Sequence, residues 1–322
     1  MGVTNMNCSF NLTSDQLGLM SIYSVTFVLA LPANLLSLWG LYQLLRAGNT
    51  MPIFILNLLV SDLLQILTLP LWIIYLKKNH MWTYGDTICD FVGYLFYINL
   101  YASIVFLCLI ALDRYLAIVH PLRSRRFRTV KLALVVSLGV WVVIFLFCLS
   151  GLYPSVYDPN QRHCLEQYPV SSRYAKFKIG TIVMGFLLPC IILGYTSARI
   201  HTALRSSPSV SRGERKKIVG ILCIITVIFI VVFGPYHLVG SYKFIYYFIT
   251  IDRCALEKKL FLTYRLCYGL TSLNNLLDPL FYIFICNDIR KQLKKSLPCI
   301  RSYLNSVNDS EIHIRNFENI TP

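Results

Sequence analysis

The sequence predicts an all-α membrane protein: a seven-transmembrane helix bundle followed by a short amphipathic C-terminal helix. Three observations carry this. Of 322 residues, 56% are hydrophobic and only 14% charged, well short of the roughly one quarter charged that soluble domains carry. Seven apolar windows recur along the chain, each supplying the about 20 residues needed to cross a hydrocarbon core of about 30 Å. Basic residues gather in alternate connections, the asymmetry that fixes membrane topology.

Residues 1–18 form a polar N-terminal tail with N-x-S/T sequons at Asn7 and Asn11, expected glycosylation sites if the tail is extracellular. The tail lacks the basic start and short apolar core of a cleavable signal peptide, so the first window is expected to direct membrane entry itself. The bundle is expected over 19–285, with windows at 19–45, 52–76, 87–119, 131–153, 174–204, 216–248 and 259–285. Pro32, Pro70, Pro189, Pro235 and Pro279 fall inside these windows. A bundle tolerates such residues as bends, because neighbouring helices re-satisfy the freed carbonyls.

Arg123, Arg125, Arg126, Arg128 and Lys131 follow the third window. Arg205, Arg212, Arg215, Lys216 and Lys217 lie between the fifth and sixth, and Arg290, Lys291, Lys294 and Lys295 follow the seventh. All belong to one side, which the positive-inside rule makes cytosolic. The formal charge of +15 is then an inner skirt facing anionic lipid, and nucleic-acid binding is excluded as its explanation. Residues 286–322 are expected to be a cytosolic amphipathic helix and tail, since Ile289, Leu293 and Leu297 recur at helical spacing among the basic residues. Cys299, just beyond, is an expected palmitoylation site.

Cys89 at the outer end of the third window and Cys164 in the second outer connection both face an oxidising compartment, where a bridge persists. Cys8 and Cys254 form a second expected extracellular pair. Enzyme and transporter classes fare badly. No His-Glu-x-x-His or Gly-x-Ser-x-Gly occurs, and no internal repeat of the kind transporters use is evident.

The third window ends in Asp113-Arg114-Tyr115, the second holds Asn57-Leu58-x-x-Ser61-Asp62, and the seventh reads Asn274-Asn275-Leu276-Leu277-Asp278-Pro279-Leu280-Phe281-Tyr282. With Trp141, Pro189, Phe233-Gly234-Pro235-Tyr236 and the Cys89/Cys164 pair, these resemble the rhodopsin-like (class A) G protein-coupled receptors in every span. Leu69-Pro70-Leu71-Trp72, Tyr264-Arg265 and Asp278 look most like the branch holding the proton-sensing and lysolipid-associated receptors.

The resemblance implies a plasma-membrane receptor that activates a heterotrimeric G protein, with receptor kinases and arrestin as further partners. It implies a switch made of Asp113, Arg114, Tyr115, Asp278, Pro279 and Tyr282. No cofactor is expected beyond a sodium ion held by Asp62, Ser103, Asn274 and Asp278. One departure is Ser197, which stands where the family often has a tyrosine.

The expected ligand is the proton. His80, His163 and His237 are candidate sensors, because histidine titrates between about pH 5 and 8. The alternative is a lysophospholipid or oxidised fatty acid, less so a nucleotide or peptide, with Arg265 and Lys243 pairing the acid group in a pocket lined by Tyr97 and Tyr101. An amine is disfavoured by Phe96, which replaces the aspartate amine receptors use.

Overall fold

A computed structural model describes residues 12–45, 51–166, 168, 170–206 and 212–285. Among these, the chain is almost wholly helical. A short 3-10 turn, Leu12–Asp15, leads into α1 (Gln16–Leu45), followed by α2 (Met51–Ile66), α3 (Leu69–Lys77), α4 (Asp86–Val119), α5 (Pro121–Ser124) and α6 (Val130–Leu152). A two-stranded hairpin, β1 (Tyr157–Asp158) and β2 (His163–Cys164), precedes α7 (Ser172–Ile182) and α8 (Leu188–Arg205). The order ends with α9 (Arg212–Ile228), α10 (Gly234–Tyr246), α11 (Arg253–Leu270) and α12 (Asn274–Ile285).

Among the described residues, six stretches are long and apolar enough to cross a membrane: Leu12–Tyr42, Pro52–Lys77, Asp86–Val119, Val130–Leu152, Ser172–Arg205 and Ile218–Tyr246. A further helical run, α11 to α12, occupies the place of the seventh expected span. The tail helix expected from residue 286 onward, with Cys299, lies outside the described residues.

The proline positions explain the breaks. Pro70 has no N–H to donate, and the second span is interrupted at Leu67–Thr68, where the Thr68 hydroxyl donates to the Gln65 carbonyl at 2.8 Å. One π-helical turn, Val183–Leu187, stands just before Pro189, and another, Phe229–Phe233, just before Pro235. Such widened turns absorb the missing hydrogen bond and recur at functional sites.

Helix α4 is the axis of the bundle and packs on both α2 and α8. Its apolar window is 72% buried, against 22% for α6, so α6 turns most of its leucines and valines outward to lipid. Several polar groups inside the bundle find partners on other helices, as a low-dielectric solvent favours. Asn34 Nδ2 donates to the Asn275 carbonyl at 2.7 Å, Asn275 Nδ2 to Gln65 Oε1 at 2.8 Å, and Trp141 Nε1 to Asn57 Oδ1 at 2.7 Å.

Candidate functional site

The Cys89–Cys164 bridge, with Cα atoms 5.7 Å apart, ties the hairpin to the top of α4. The hairpin is thereby laid across one end of the bundle. Cys254 is also disulfide-bonded, while Cys8, its expected partner, and the sequons at Asn7 and Asn11 lie outside the described residues.

Beneath the hairpin is a closed ring of four charged groups. After α3 the backbone turns through left-handed conformations at Asn79 and His80, with φ of 53° and 62°, which Asn and His tolerate better than most residues. This carries the imidazole inward until His80 is fully buried. Its Nδ1 lies 2.9 Å from Glu166 Oε1, two residues beyond the bridge, and its Nε2 lies 3.1 Å from Asp15 Oδ1. Arg265 closes the ring from α11, with Nε 2.6 Å from Asp15 Oδ2 and Nη2 2.7 Å from Glu166 Oε1.

Charge balance sets the protonation state. Two carboxylates face two bases, so a neutral His80 would leave one buried negative charge uncompensated. Burial alone disfavours the imidazolium, but Asp15 and Glu166 outweigh it and hold the His80 pKa up, at about 9. Burial pushes Glu166 up while Arg265 and His80 pull it down, and the result lies below the usual carboxylate range. His163, buried in β2, behaves oppositely: burial holds its pKa below the ordinary value against the pull of Glu166.

The three expected sensors therefore do not form one cluster. His80 and His163 share the hairpin end, whereas His237 lies deeper on α10, stacked on Phe186 at 5.4 Å. Among the described residues no carboxylate pairs with His237, and the basic residue near it is Lys178. That neighbourhood gives an imidazolium no counterion. Lys243 and Arg265 also differ from expectation. Lys243 is buried with Nζ 2.6 Å from Glu257 Oε2, and Arg265 is committed to the ring, so both expected anion-binding cations already have carboxylates.

A cavity of about 470 Å³ opens between the hairpin and the helices, lined by Tyr97, Tyr174, Tyr264 and Tyr268 among others. This is within the usual range for a small-molecule site. Tyr97 joins Tyr174 through their hydroxyls at 2.5 Å, and Tyr101 stacks on Tyr97 at 6.4 Å.

In mid-bundle, Asp62 Oδ1 accepts from Asn99 Nδ2 at 3.1 Å and from Ser103 Oγ at 3.5 Å. Asp62 Oδ2, both oxygens of Asp278 and both polar side-chain atoms of Asn274 are buried without a hydrogen-bond partner among the described residues. Oxygen ligands left over in this way suit a hard monovalent cation, so the residues fit the sodium ion the family implies.

At the opposite end Arg114 Nη2 donates to Asp113 Oδ2 at 2.6 Å. Arg128, beyond α5, grips the same carboxylate, with Nε to Oδ1 at 2.9 Å and Nη2 to Oδ2 at 3.2 Å. Tyr115 Oη lies 3.1 Å from His120 Nε2. Pro279 is buried in α12, and the Tyr282 side chain lies outside the described residues.

Sequence reasoning missed Asp15, Glu166, Glu257 and Arg128 as partners. A signal existed for two of them. Asp15 abuts the first apolar run, and Glu166 follows a bridge cysteine that had already been placed over the bundle mouth. A carboxylate at either position needs a cation.

The sequence pattern described as 7 transmembrane receptor (rhodopsin family) matches residues 33–282. Bovine G-protein coupled receptor 68 is 33% identical over 295 residues, covering 91% of this chain and 81% of its own length. The human probable G-protein coupled receptor 132 is 31% identical, over 92% of this chain and 78% of its own. The human uracil nucleotide/cysteinyl leukotriene receptor is 33% identical, over 85% and 74% respectively. Helices fit to cross a membrane, the bridged hairpin, and Asp113-Arg114-Tyr115 at the far end of α4 all agree with this match, and the chain belongs to the rhodopsin family of seven-transmembrane, G protein-coupled receptors.

Proposed function

We propose that the protein is a plasma-membrane receptor that converts extracellular acidification into G-protein activation, and that the ring of His80, Asp15, Glu166 and Arg265 is its sensor. In this reading α11 and α12 make the seventh crossing. The hairpin end is extracellular, in keeping with its disulfide, and the basic connections face the cytosol. The single observation that carries the reading is the fully buried His80 held between two carboxylates.

The sign follows from linkage. His80 has its pKa raised to about 9 in the closed ring, and in an opened ring it returns to an ordinary value near 6.5. The preference for the closed ring is therefore complete below about pH 6.5 and is lost as pH rises through about 9, changing up to tenfold per pH unit in that window. His163 works oppositely. Its pKa is depressed, so its charging disfavours the closed ring as pH falls below its ordinary range. Tyr75, whose ring centroid lies 5.3 Å from that of His80, completes the wall around the imidazole.

The ring joins the N-terminal end of α1, the turn after α3, the hairpin and α11, so its closure draws the mouths of four elements together. That displacement would pass down α11 to Asn274 and Asp278 and so to the Asp113–Arg114 pair, where the released arginine meets the G protein. A sodium ion held by Asp62, Ser103, Asn274 and Asp278 would supply positive charge between the two carboxylates in the resting state. Receptor kinases and arrestin would act on the serine-bearing cytosolic segments.

The test steps extracellular pH from about 8 to about 6 while cyclic AMP, inositol phosphate and Rho reporters are read. A rising response absent from untransfected cells is expected, with His80→Phe, matched for surface expression, flattening it between pH 8 and 6.5. A flat wild-type response would remove the reading; an unchanged H80F curve would remove His80 from it.

A further inference from the structure

The charged ring depends on how closely α1 and α11 approach. Asp15 Oδ2 and Arg265 Nε meet at 2.6 Å. Four residues further along each chain segment stand Leu19 and Gly269, so this second pair lies about one turn deeper along the same seam. There the helices are closer than a β-carbon on α11 would allow. A Cβ added at Gly269 would sit 2.3 Å from Leu19 Cδ2, well inside the about 3.5–4.0 Å at which carbon atoms rest. A reciprocal notch lies between the two levels, where a Cβ at Gly18 would sit 2.7 Å from Leu266 Cδ2.

The two leucines differ in how easily they yield. Leu19 is fully buried, whereas Leu266 is half-buried, and Ile22 Cδ1 stands 3.7 Å from the same Gly269 position. A methyl at Gly269 therefore finds no open space into which Leu19 can swing, and α1 and α11 must part by about 1 Å or more. Lengthened by that much, the 2.6 Å contact between Asp15 and Arg265 ceases to be a hydrogen bond. Around the ring, further titratable groups bear on its members: Tyr23 of α1, Tyr75 of α3, Lys243 of α10, and His163 and Tyr168 of the second outer connection. Filling the notch alters none of these groups chemically, so its effect on the ring is one of distance.

We infer that Gly269, with Gly18 in support, is the positioning residue of the ring: it seats α1 against α11 at the separation at which Asp15 reaches Arg265, and thereby sets the acidity at which the ring closes. The set-point rests on the acid-sensing reading, whereas the coupling between notch and ring rests on the packing of α1 and α11 alone.

The coupling is read by thermal unfolding of detergent-purified full-length receptor carrying Gly269→Ala, Arg265→Gln or both. G269A is expected to lower the melting temperature of the otherwise intact receptor, and to lower it much less once R265Q has already opened the ring. Gly151→Ala, equally crowded against Phe177 but between helices that carry no ring member, should have the same effect with or without R265Q. The set-point is read in cells at matched surface density. There G269A is expected to need about half a pH unit more acid for half-maximal signalling, equivalent to an about threefold weaker closure at one proton per closure, while the response at saturating acid is retained. Leu19→Ala, which trims the opposing side chain, should return the midpoint of G269A toward that of the wild type. If G269A does not reach the surface, Gly18→Ala, which meets the more yielding leucine, gives the same comparison with a smaller shift. Additive melting effects of G269A and R265Q, or an unmoved midpoint in a receptor that does respond to pH, would overturn the inference. A wild type flat to pH whose melting effects are nevertheless coupled would remove acid sensing and leave the positioning role in place.

Discussion

Asp113 is held from two directions. Its own neighbour Arg114 takes one oxygen, and Arg128 reaches across from the following connection to take both. Arg128 is 27% exposed and Asp113 only 4%, so water weakens the clamp, and its contribution to the resting arrangement is about 1 kcal/mol. Arg128→Ala is therefore expected to raise ligand-independent signalling several-fold at constant surface density, measured as basal second-messenger output at pH 8. Arg114 and Asp113 were legible in the sequence because they are adjacent and stand in a known triplet. Arg128 was legible only as one basic residue among several, since nothing in a run of arginines says which one folds back. The ring around His80 was harder still. Asp15 and Arg265 are 250 positions apart, and periodicity carries no information about a contact at that separation.

At the scale of elements, the apolar windows located the helices well, because hydrophobic length is the strongest signal a membrane chain carries. They missed the interruption at Leu67–Thr68, where the apolar run continues without pause and only Pro70 marks the break. They also could not show how closely helices approach. Gly151, near the end of α6, lies directly against the Phe177 ring of α7, and an added Cβ would sit 2.3 Å from it. Phe177 cannot retreat easily, since Phe147 packs on it at 5.1 Å and Tyr97 at 6.4 Å. Small residues at such crossings let membrane helices pack. Gly151→Val should cost about 1–3 kcal/mol through overpacking, seen as a lowered melting temperature of the detergent-solubilised receptor, with the pH midpoint of the surviving fraction retained.

Across the whole molecule, three polar sites are stacked along one apolar bundle: the charged ring at the hairpin end, the Asp62–Asp278 region in the middle, and the Asp113 clamp at the far end. The middle site was expected from motifs in α2 and α12 and the far end from the Asp113-Arg114-Tyr115 triplet, whereas no motif brought Asp15 and Glu166 to His80. The orphaned oxygens of Asp62 and Asp278 lead to a test of the intact receptor. Replacing extracellular sodium with choline should raise basal signalling of the wild type at fixed pH, and Asp62→Asn should make that output independent of the ion. Equal sodium dependence in both would assign the oxygens to water.

The Asp15–Arg265 contact has a practical consequence for anyone labelling this receptor. Asp15 sits in the short turn just ahead of α1, so a fluorescent protein, an antibody epitope or a deletion brought close to that turn would pull on one corner of the ring. Surface-labelled versions would then report a displaced set-point while trafficking normally, and cell lines carrying different amino-terminal tags would disagree about the acidity at which the same protein responds. Labels placed ahead of Met1 on a flexible spacer avoid the difficulty, and two spacers of unequal length make a direct check that the turn is undisturbed.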